Sequence, residues 1–261
     1  AYSVSLEEGL TGAGFILDKG LKQHYLDYIR AEEAKIDWKK YNHVTPPRIV
    51  ECTLDEGLIR RKAEETDMAM ITIGRNAGEY SDRKVKDDFE LCADEREMLE
   101  KVTRIFHQEG KKVVVILNIG GVIETASWKD RPDAILLAWQ GGQEGGNSVA
   151  DILSGKVNPS GKLPMTFPVR YEDAASSENF PLIGDEEAHD IYREFYTGPK
   201  GTDRPNIDFT RYEEGIYVGY RYFDKYRVDV SYPFGFGLSY TGFTYSKPRY
   251  LRTEQGYEFS C

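Results

Sequence analysis

The sequence predicts an α/β fold, a mostly parallel sheet sandwiched by helices on both faces. Three apolar runs of strand length point to it: Met68-Ala69-Met70-Ile71-Thr72-Ile73, Val113-Val114-Val115-Ile116-Leu117-Asn118 and Ala134-Ile135-Leu136-Leu137-Ala138-Trp139. Near-continuous apolar runs are what strands buried on both faces require. Stretches with helical spacing follow each run, and strand, helix, strand, helix in succession is the order of a parallel sheet.

Residues 3–12 and 19–35 read as helices, the second with Leu21, Tyr25, Tyr28 and Ile29 at helical spacing. Thr45-Pro46-Pro47 breaks the pattern, because proline disfavours helix at the residue before it. Arg48 to Cys52 reads as a short strand and 55–66 as a charged helix. Beyond the loop from Gly74 to Asp94, a long helix is expected over about 95–109. Asp94 would cap it, with Glu97 three residues on as in a capping box. Met98, Val102 and Ile105 form its apolar stripe, and Gly110 ends it. Short helices are expected near 123–127 and over 145–154. From Asn158 the character changes. Pro159, Pro164 and Pro168 punctuate the chain, and residues 171–215 read as a long excursion with little regular structure. Tyr217 to Phe223 and Phe243-Thr244-Tyr245 alternate as strands do. There is no internal repeat.

A chain of 261 residues makes one large domain or two small ones. With 40% apolar and 30% charged residues the composition is that of a globular protein. No run of ~18 apolar residues suggests a membrane-spanning helix. The net charge of −10 argues against nucleic acid, which needs clustered Lys and Arg, and against an anionic membrane surface. Cys52, Cys92 and Cys261 are widely spaced and read as free thiols, with neither a zinc pattern nor a disulfide framework. The chain starts at Ala1 without a signal peptide and stops at Phe259-Ser260-Cys261 amid alternating residues. Both ends read as cuts in a longer polypeptide, so the compartment is not legible.

Ligands of open parallel sheets gather at the carboxyl ends of the strands. Three glycine-rich loops follow strand ends here: 74–83, 118–122 and 140–147. The last, Q-G-G-Q-E-G-G-N, resembles a phosphate cradle only superficially. It has neither the Lys-Ser/Thr of a P-loop nor G-x-G-x-x-G, and Glu144 would repel phosphate. A tight strand-to-helix turn explains it better. No G-x-S-x-G nucleophile turn exists, and His24, His43, His107 and His189 show no metal spacing. In the first loop, Glu79 has two readings. A loop carboxylate is ordinarily just solvated. Here, however, Gly78 frees the adjoining backbone, Tyr80 can shield the carboxyl, and Asp82 with Arg83 can pair to fix the loop. Shielding raises a carboxyl pKa, as a proton donor requires.

G-R-N-A-G-E-Y-S-D-R at 74–83 and the stretches at 111–120, 138–168, 212–224 and 232–241, in that order, together resemble glycoside hydrolase family 3. G-R-N-A-G-E-Y-S-D-R at 74–83 is similar to its G-R-x-S-G-E-G-x-D-R, and K-K-V-V-V-I-L-N-I-G at 111–120 to the strand that follows. The long stretch A-W-Q-G-G-Q-E-G-G-N through M-T-F-P at 138–168 is similar almost throughout, as are Y-E-E-G-I-Y-V-G-Y-R-Y-F-D at 212–224 and Y-P-F-G-F-G-L-S-Y-T at 232–241. The resemblance implies β-glucosidase-like or β-xylosidase-like hydrolysis. In such enzymes a barrel domain carries an aspartate nucleophile and an α/β sandwich supplies the acid/base glutamate. Residues 1–241 resemble that C-terminal sandwich, shortened at its N-terminus, and 242–261 the start of a fibronectin type III-like β-sandwich. Glu79 falls on the acid/base position. Where many members have Glu-Gly, this chain has Glu79-Tyr80-Ser81, which leaves the loop geometry open.

The resemblance implies a β-glycoside or oligosaccharide substrate, the missing barrel domain as partner, and no metal or organic cofactor. No convincing nucleophile is found in this chain. Trp139 reads as cleft border or core, Trp38 and Trp128 as packing or surface anchors, and Phe234, Phe236 and Leu238 as packing residues. A non-catalytic carbohydrate-binding module and, more weakly, a nucleotide-binding protein are the competing readings.

Overall fold

The apolar runs pair as parallel strands. β1 (Met68–Gly74), β2 (Lys112–Asn118) and β3 (Ala134–Leu137) form one sheet in that order. The computed structural model describes residues 2–41, 48–75, 83–178 and 213–260. Its helices are α1 (Leu6–Gly12), α2 (Lys19–Glu33), α3 (Glu56–Glu65), α4 (Ala93–Gln108), α5 (Gly145–Leu153) and α6 (Tyr220–Tyr226). A two-residue strand, β4 (Phe167–Pro168), pairs antiparallel with β5 (Val230–Tyr232), and β6 (Arg249–Thr253) with β7 (Gly256–Ser260) makes a hairpin.

The register aligns Ala69, Ile71 and Ile73 of β1 with Val113, Val115 and Leu117 of β2, and the last two with Ile135 and Leu137 of β3. In a pleated sheet residues in register share a face. This face meets Met98, Leu99, Val102, Ile105 and Phe106 of α4 and Ile59 and Ala63 of α3 in one buried cluster. The opposite face is covered less completely: Ile116 is buried, whereas Thr72 is exposed. The α/β architecture expected from the sequence is therefore present. Ile105 is fully buried at the centre of the α4 stripe. Ile105→Ala should cost about 2–5 kcal/mol, read as a lower urea midpoint at unchanged slope.

The ends of α4 show how local chemistry sets its limits. Its N-cap is Cys92, and Glu95 Oε2 accepts from the Cys92 backbone N–H at 2.9 Å. The expected Asp94–Glu97 box is thus displaced by two residues, because Glu95 is the carboxylate that faces the interior. Gly110 adopts φ +68° and closes the helix, with Lys111 N donating to Phe106 O at 2.9 Å.

α1 and α5 pack backbone to backbone. A Cβ on Gly146 would lie 1.9 Å from Ser5 O, and one on Gly9 only 2.2 Å from Gly146 C. Val4 N donates to Gln143 O at 2.7 Å, and Gly146 N to Val4 O at 3.1 Å. Of the glycines in the 140–147 loop, Gly146 and Gly141 thus serve close approach, to α1 and to Gly145. Glu144 accepts from the hydroxyl of Tyr2 and, at 2.6 Å, from Asn147 Nδ2.

Four expected elements differ. Arg48–Cys52 runs beside the sheet without joining it, because its polar groups go elsewhere: Val50 O accepts from Tyr28 Oη at 2.9 Å, and Cys52 N donates to Glu51 Oε1 at 3.0 Å. Residues 123–125 are irregular and 126–130 form a turn, so no helix is present there. Trp128, buried, donates from Nε1 to Glu124 O at 2.8 Å, and Thr125 Oγ1 lies 2.6 Å from Ser231 Oγ on β5. Tyr217–Phe223 is no strand: α6 begins at Tyr220. Its rings meet at helical spacing, with Tyr222 and Tyr226 centroids 5.0 Å apart, and only Phe223 is buried. Residues 243–245 form no strand either; the hairpin starts at Arg249. Of the 171–215 excursion, the described part holds two short 3-10 turns, Tyr171–Asp173 and Ala175–Glu178. The remainder up to residue 212 lies outside the described residues. Phe234, Phe236 and Leu238, expected to pack, are 47%, 37% and 77% exposed. Phe234 nevertheless stacks on Tyr220, ring centroids 4.5 Å apart, and Phe236 packs on Tyr232 at 4.9 Å, while the backbone adds Leu163 N donating to Phe236 O and Gly235 N to Leu163 O, each at 2.8 Å.

Asp133 ties the entry of β3 to that of β2. Its carboxylate accepts from Lys112 Nζ, Val113 N and His107 Nε2, each at 2.8 Å. The Lys112 hydrogen bond, against a burial effect of opposite sign, holds this carboxyl well below the usual carboxylate range, with the Val113 and His107 bonds adding to it. A depressed folded-state pKa contributes stability above the unfolded value, lost as pH falls through the folded one. The stability difference between wild type and Asp133→Asn should therefore be constant above about pH 5 and shrink below about pH 4. Paired thermal melts across that range measure it.

Candidate active site

β1 and β2 end together at the carboxyl edge of the sheet, where Gly74 and Asn118 are in register. The chain then turns. Arg75 N donates to Asn118 O at 3.0 Å, and the Arg75 side chain folds inward rather than toward solvent. It needs partners there, since a buried charge is tolerated only when paired and hydrogen-bonded. Arg75 Nη1 and Nη2 donate to Glu95 Oε1 at 2.8 Å and Oε2 at 3.0 Å. Nε donates to Asp88 O at 2.6 Å and Nη1 to Gly74 O at 2.8 Å. The side chains of this pair are 1% and 4% exposed.

Glu95 is carried inward by the same helical stripe that buries Leu99, Val102 and Phe106. Burial alone would push its carboxyl up. The Arg75 hydrogen bonds and charge, the Cys92 N–H and nearby Arg48 outweigh that and lower it. Glu95 also pairs with Arg48, whose Nη1 donates to Asp87 O at 2.7 Å. Asp87 has φ 61°, a left-handed conformation that Asp tolerates better than most residues.

On the far side of the loop, Arg83 pairs with the Asp88 carboxylate, whose other oxygen accepts from Lys84 N at 3.0 Å. Its guanidinium reaches over the second glycine-rich loop, 3.8 Å from where a Cβ on Gly121 would sit. The described partner of Arg83 is thus Asp88; Asp82, the expected one, lies outside the described residues. So does Glu79, with all of residues 76–82. Both flanks, Arg75 and Arg83, are placed at the carboxyl edge of the sheet.

The third loop joins the same edge. A Cβ on Gly120 would meet the Gln140 side chain at 2.9 Å. Trp139, directly after β3, has φ 53°. That is a strained conformation for a bulky residue, of the kind that clusters at functional sites. Its ring is half-buried, 6.3 Å from Phe167, and packs against the core. Trp128 is buried and Trp38 half exposed.

A separate cleft is lined by His24, Asp27, Tyr28, Glu51, Cys52 and Asp94. Burial pushes the Glu51 carboxyl up, opposed by Tyr25 Oη and the Cys52 N–H, both donating at 3.0 Å. His24 Nε2 lies 3.6 Å from Cys52 Sγ, a contact unread in the sequence. Among the described residues, Cys52 and Cys92 are free thiols, and no three His, Cys, Asp or Glu side chains come together to hold a metal ion. No helix among them is long and apolar enough to cross a membrane.

Residues 24–240 match the model of the glycosyl hydrolase family 3 C-terminal domain. The chain is 36% identical to a β-glucosidase of Ruminococcus albus over 94% of its own length and 23% of that protein's. It is 35% identical to β-glucosidase A of Butyrivibrio fibrisolvens over 93% and 29%. It superposes on β-glucosidase 3B from Thermotoga neapolitana, solved in complex with glucose, with a TM-score of 0.80 at 42% identity, over 96% of this chain and 32% of that one. A β-glucosidase from Paenibacillus barengoltzii gives 0.72 at 33% identity, over 96% and 24%. The chain thus spans about a quarter to a third of the relatives it matches. By a family match over most of its length and by these likenesses in sequence and fold, the chain belongs to glycosyl hydrolase family 3, as the C-terminal domain of that family.

Proposed function

We propose that this chain is the acid/base-bearing domain of a retaining exo-β-glycosidase of the β-glucosidase type, removing terminal non-reducing β-linked sugars. The observation that carries this reading is the family match running through the Arg75–Arg83 segment, whose flanks stand at the carboxyl edge of the sheet. The relatives named above are β-glucosidases, and one was solved with glucose.

Retaining hydrolysis needs two carboxyls about 5–5.5 Å apart. One attacks the anomeric carbon. The other protonates the departing oxygen, then removes a proton from the water that releases the sugar. Glu79 takes the second role. The nucleophile comes from a barrel domain outside this chain, an assignment that fits the quarter-to-third share of the relatives' length. Residues 242–261, with Tyr250, Leu251, Tyr257 and Phe259 exposed on their hairpin, begin a fibronectin type III-like domain.

The test compares this chain with the complete reading frame on nitrophenyl β-glucoside. The frame should release nitrophenol and the pure chain none above the buffer rate. Release by the chain alone would contradict the division of labour. An inert frame that still binds cellobiose in calorimetry would favour the carbohydrate-binding module.

A further inference from the structure

The buried Arg75–Glu95 ion pair stands at the stem of the 76–82 loop. Buried ion pairs often add little net stability over well-packed apolar groups, because desolvation offsets their attraction. What a bidentate Arg–carboxylate pair does supply is fixed geometry. Here that geometry is concentrated at one point of the chain. Arg75, the last described residue before the loop, grips Glu95, Asp88 O and, at 3.4 Å, Glu90 O. Arg83, the first described residue after it, grips the carboxylate of the same Asp88. Arg48 closes the frame from outside, holding Glu95 and Asp87 O. Entry and exit of the loop are thus fastened to a single short segment, residues 84–95.

Resting on the assignment of Glu79 above, we propose that Arg75 and Glu95 are a positioning pair for the acid/base loop, with Arg83 and Asp88 as its second anchor. These residues touch no substrate. They set where the loop leaves and rejoins the sheet edge, and so where its carboxyl can reach. An error of about 1 Å in such placement costs on the order of 10²-fold in rate. A misplaced proton donor harms only the step that needs its proton. The signature is therefore a loss that depends on the leaving group.

The test uses the complete reading frame with Arg75→Met/Glu95→Leu, Glu95→Gln and Arg83→Met, and Glu79→Gln alongside. The readout is kcat/KM on cellobiose, whose departing sugar needs a proton, and on 2,4-dinitrophenyl β-glucoside, whose phenolate leaves without one. The double replacement removes both deeply buried charges together and leaves only the partly exposed Arg48, which keeps its bond to Asp87 O. For it and for Glu95→Gln, the loss on cellobiose should be about 10- to 100-fold, and at least tenfold larger than on the dinitrophenyl substrate. Arg83→Met, at a partly exposed side chain, should show the same bias more weakly, and it carries the decision if the core variants do not fold. Equal losses on both substrates, or no loss on cellobiose, would overturn the proposal. If Glu79→Gln shows the bias and the anchor variants do not, the positioning role alone fails. If Glu79→Gln shows none, the acid/base assignment fails first.

Discussion

Glu79→Gln in the complete reading frame should lower kcat/KM for cellobiose by about 10²–10⁴-fold, the usual contribution of a positioned general acid. The amide is nearly isosteric, so substrate binding should change little. On 2,4-dinitrophenyl β-glucoside the same variant should lose far less in kcat/KM, because the first step no longer waits for a proton. Its kcat should still fall, since release of the sugar from the nucleophile needs the same group as a base. The pH profile should change as well. With the donor removed, the alkaline limb of kcat/KM should flatten, because that limb reports loss of the acid's proton. Steady-state kinetics on the two substrates from about pH 4 to pH 9 would show all four effects.

Glu95→Ala should be the most damaging single change to stability, at about 3–5 kcal/mol. Arg75 would stay behind with 1% side-chain exposure and only the Asp88 carboxylate, 3.8 Å from its Nε, as counter-charge, and the Cys92 N–H would lose its acceptor. Replacing Arg75 and Glu95 together by apolar residues should cost clearly less than Glu95→Ala. Chemical denaturation of the three proteins checks the order. If Glu95→Ala proved milder than the double replacement, the pair would not be the buried, mutually dependent unit its geometry indicates.

The parts of the fold legible in the sequence were those where one physical demand dominates. β2 is buried on both faces and β1 on one, so their apolar runs could be placed within a residue or two, and Gly110 had to end α4 because it takes a positive φ. Patterns with two causes misled. The aromatic alternation at 217–223 looked like a strand, yet Tyr220, Tyr222 and Phe223 lie on α6, where Tyr222 meets Tyr226 at i, i+4. Arg48–Cys52 had strand composition, but its hydrogen bonds are taken by side chains. Of the expected packing residues Phe234, Phe236 and Leu238, the two rings do pack, on Tyr220 and Tyr232, at a partly exposed site, whereas Leu238 is left to solvent.

The candidate site was legible mainly through resemblance. Residue chemistry alone left Glu79 between a solvated and a reactive carboxyl. The Arg75–Glu95 pair was missed, although a signal existed: Glu95 falls on the apolar stripe of its helix, four residues before Leu99 and seven before Val102. A glutamate in that position must find a cation, and Arg75, directly after a buried strand, is placed to provide one. The His24–Cys52 contact had no such signal, since it joins residues 28 positions apart on a helix and an irregular segment.

Azide rescue is the sharpest test of the proposal that this domain lends its glutamate to chemistry completed on another fold. With Glu79→Ala in the complete reading frame and 2,4-dinitrophenyl β-glucoside, added azide should accelerate turnover and yield β-glucosyl azide, identified by NMR, because a small anion can attack the trapped sugar without the missing base. Turnover indifferent to azide, with glucose as the sole sugar product, would contradict it.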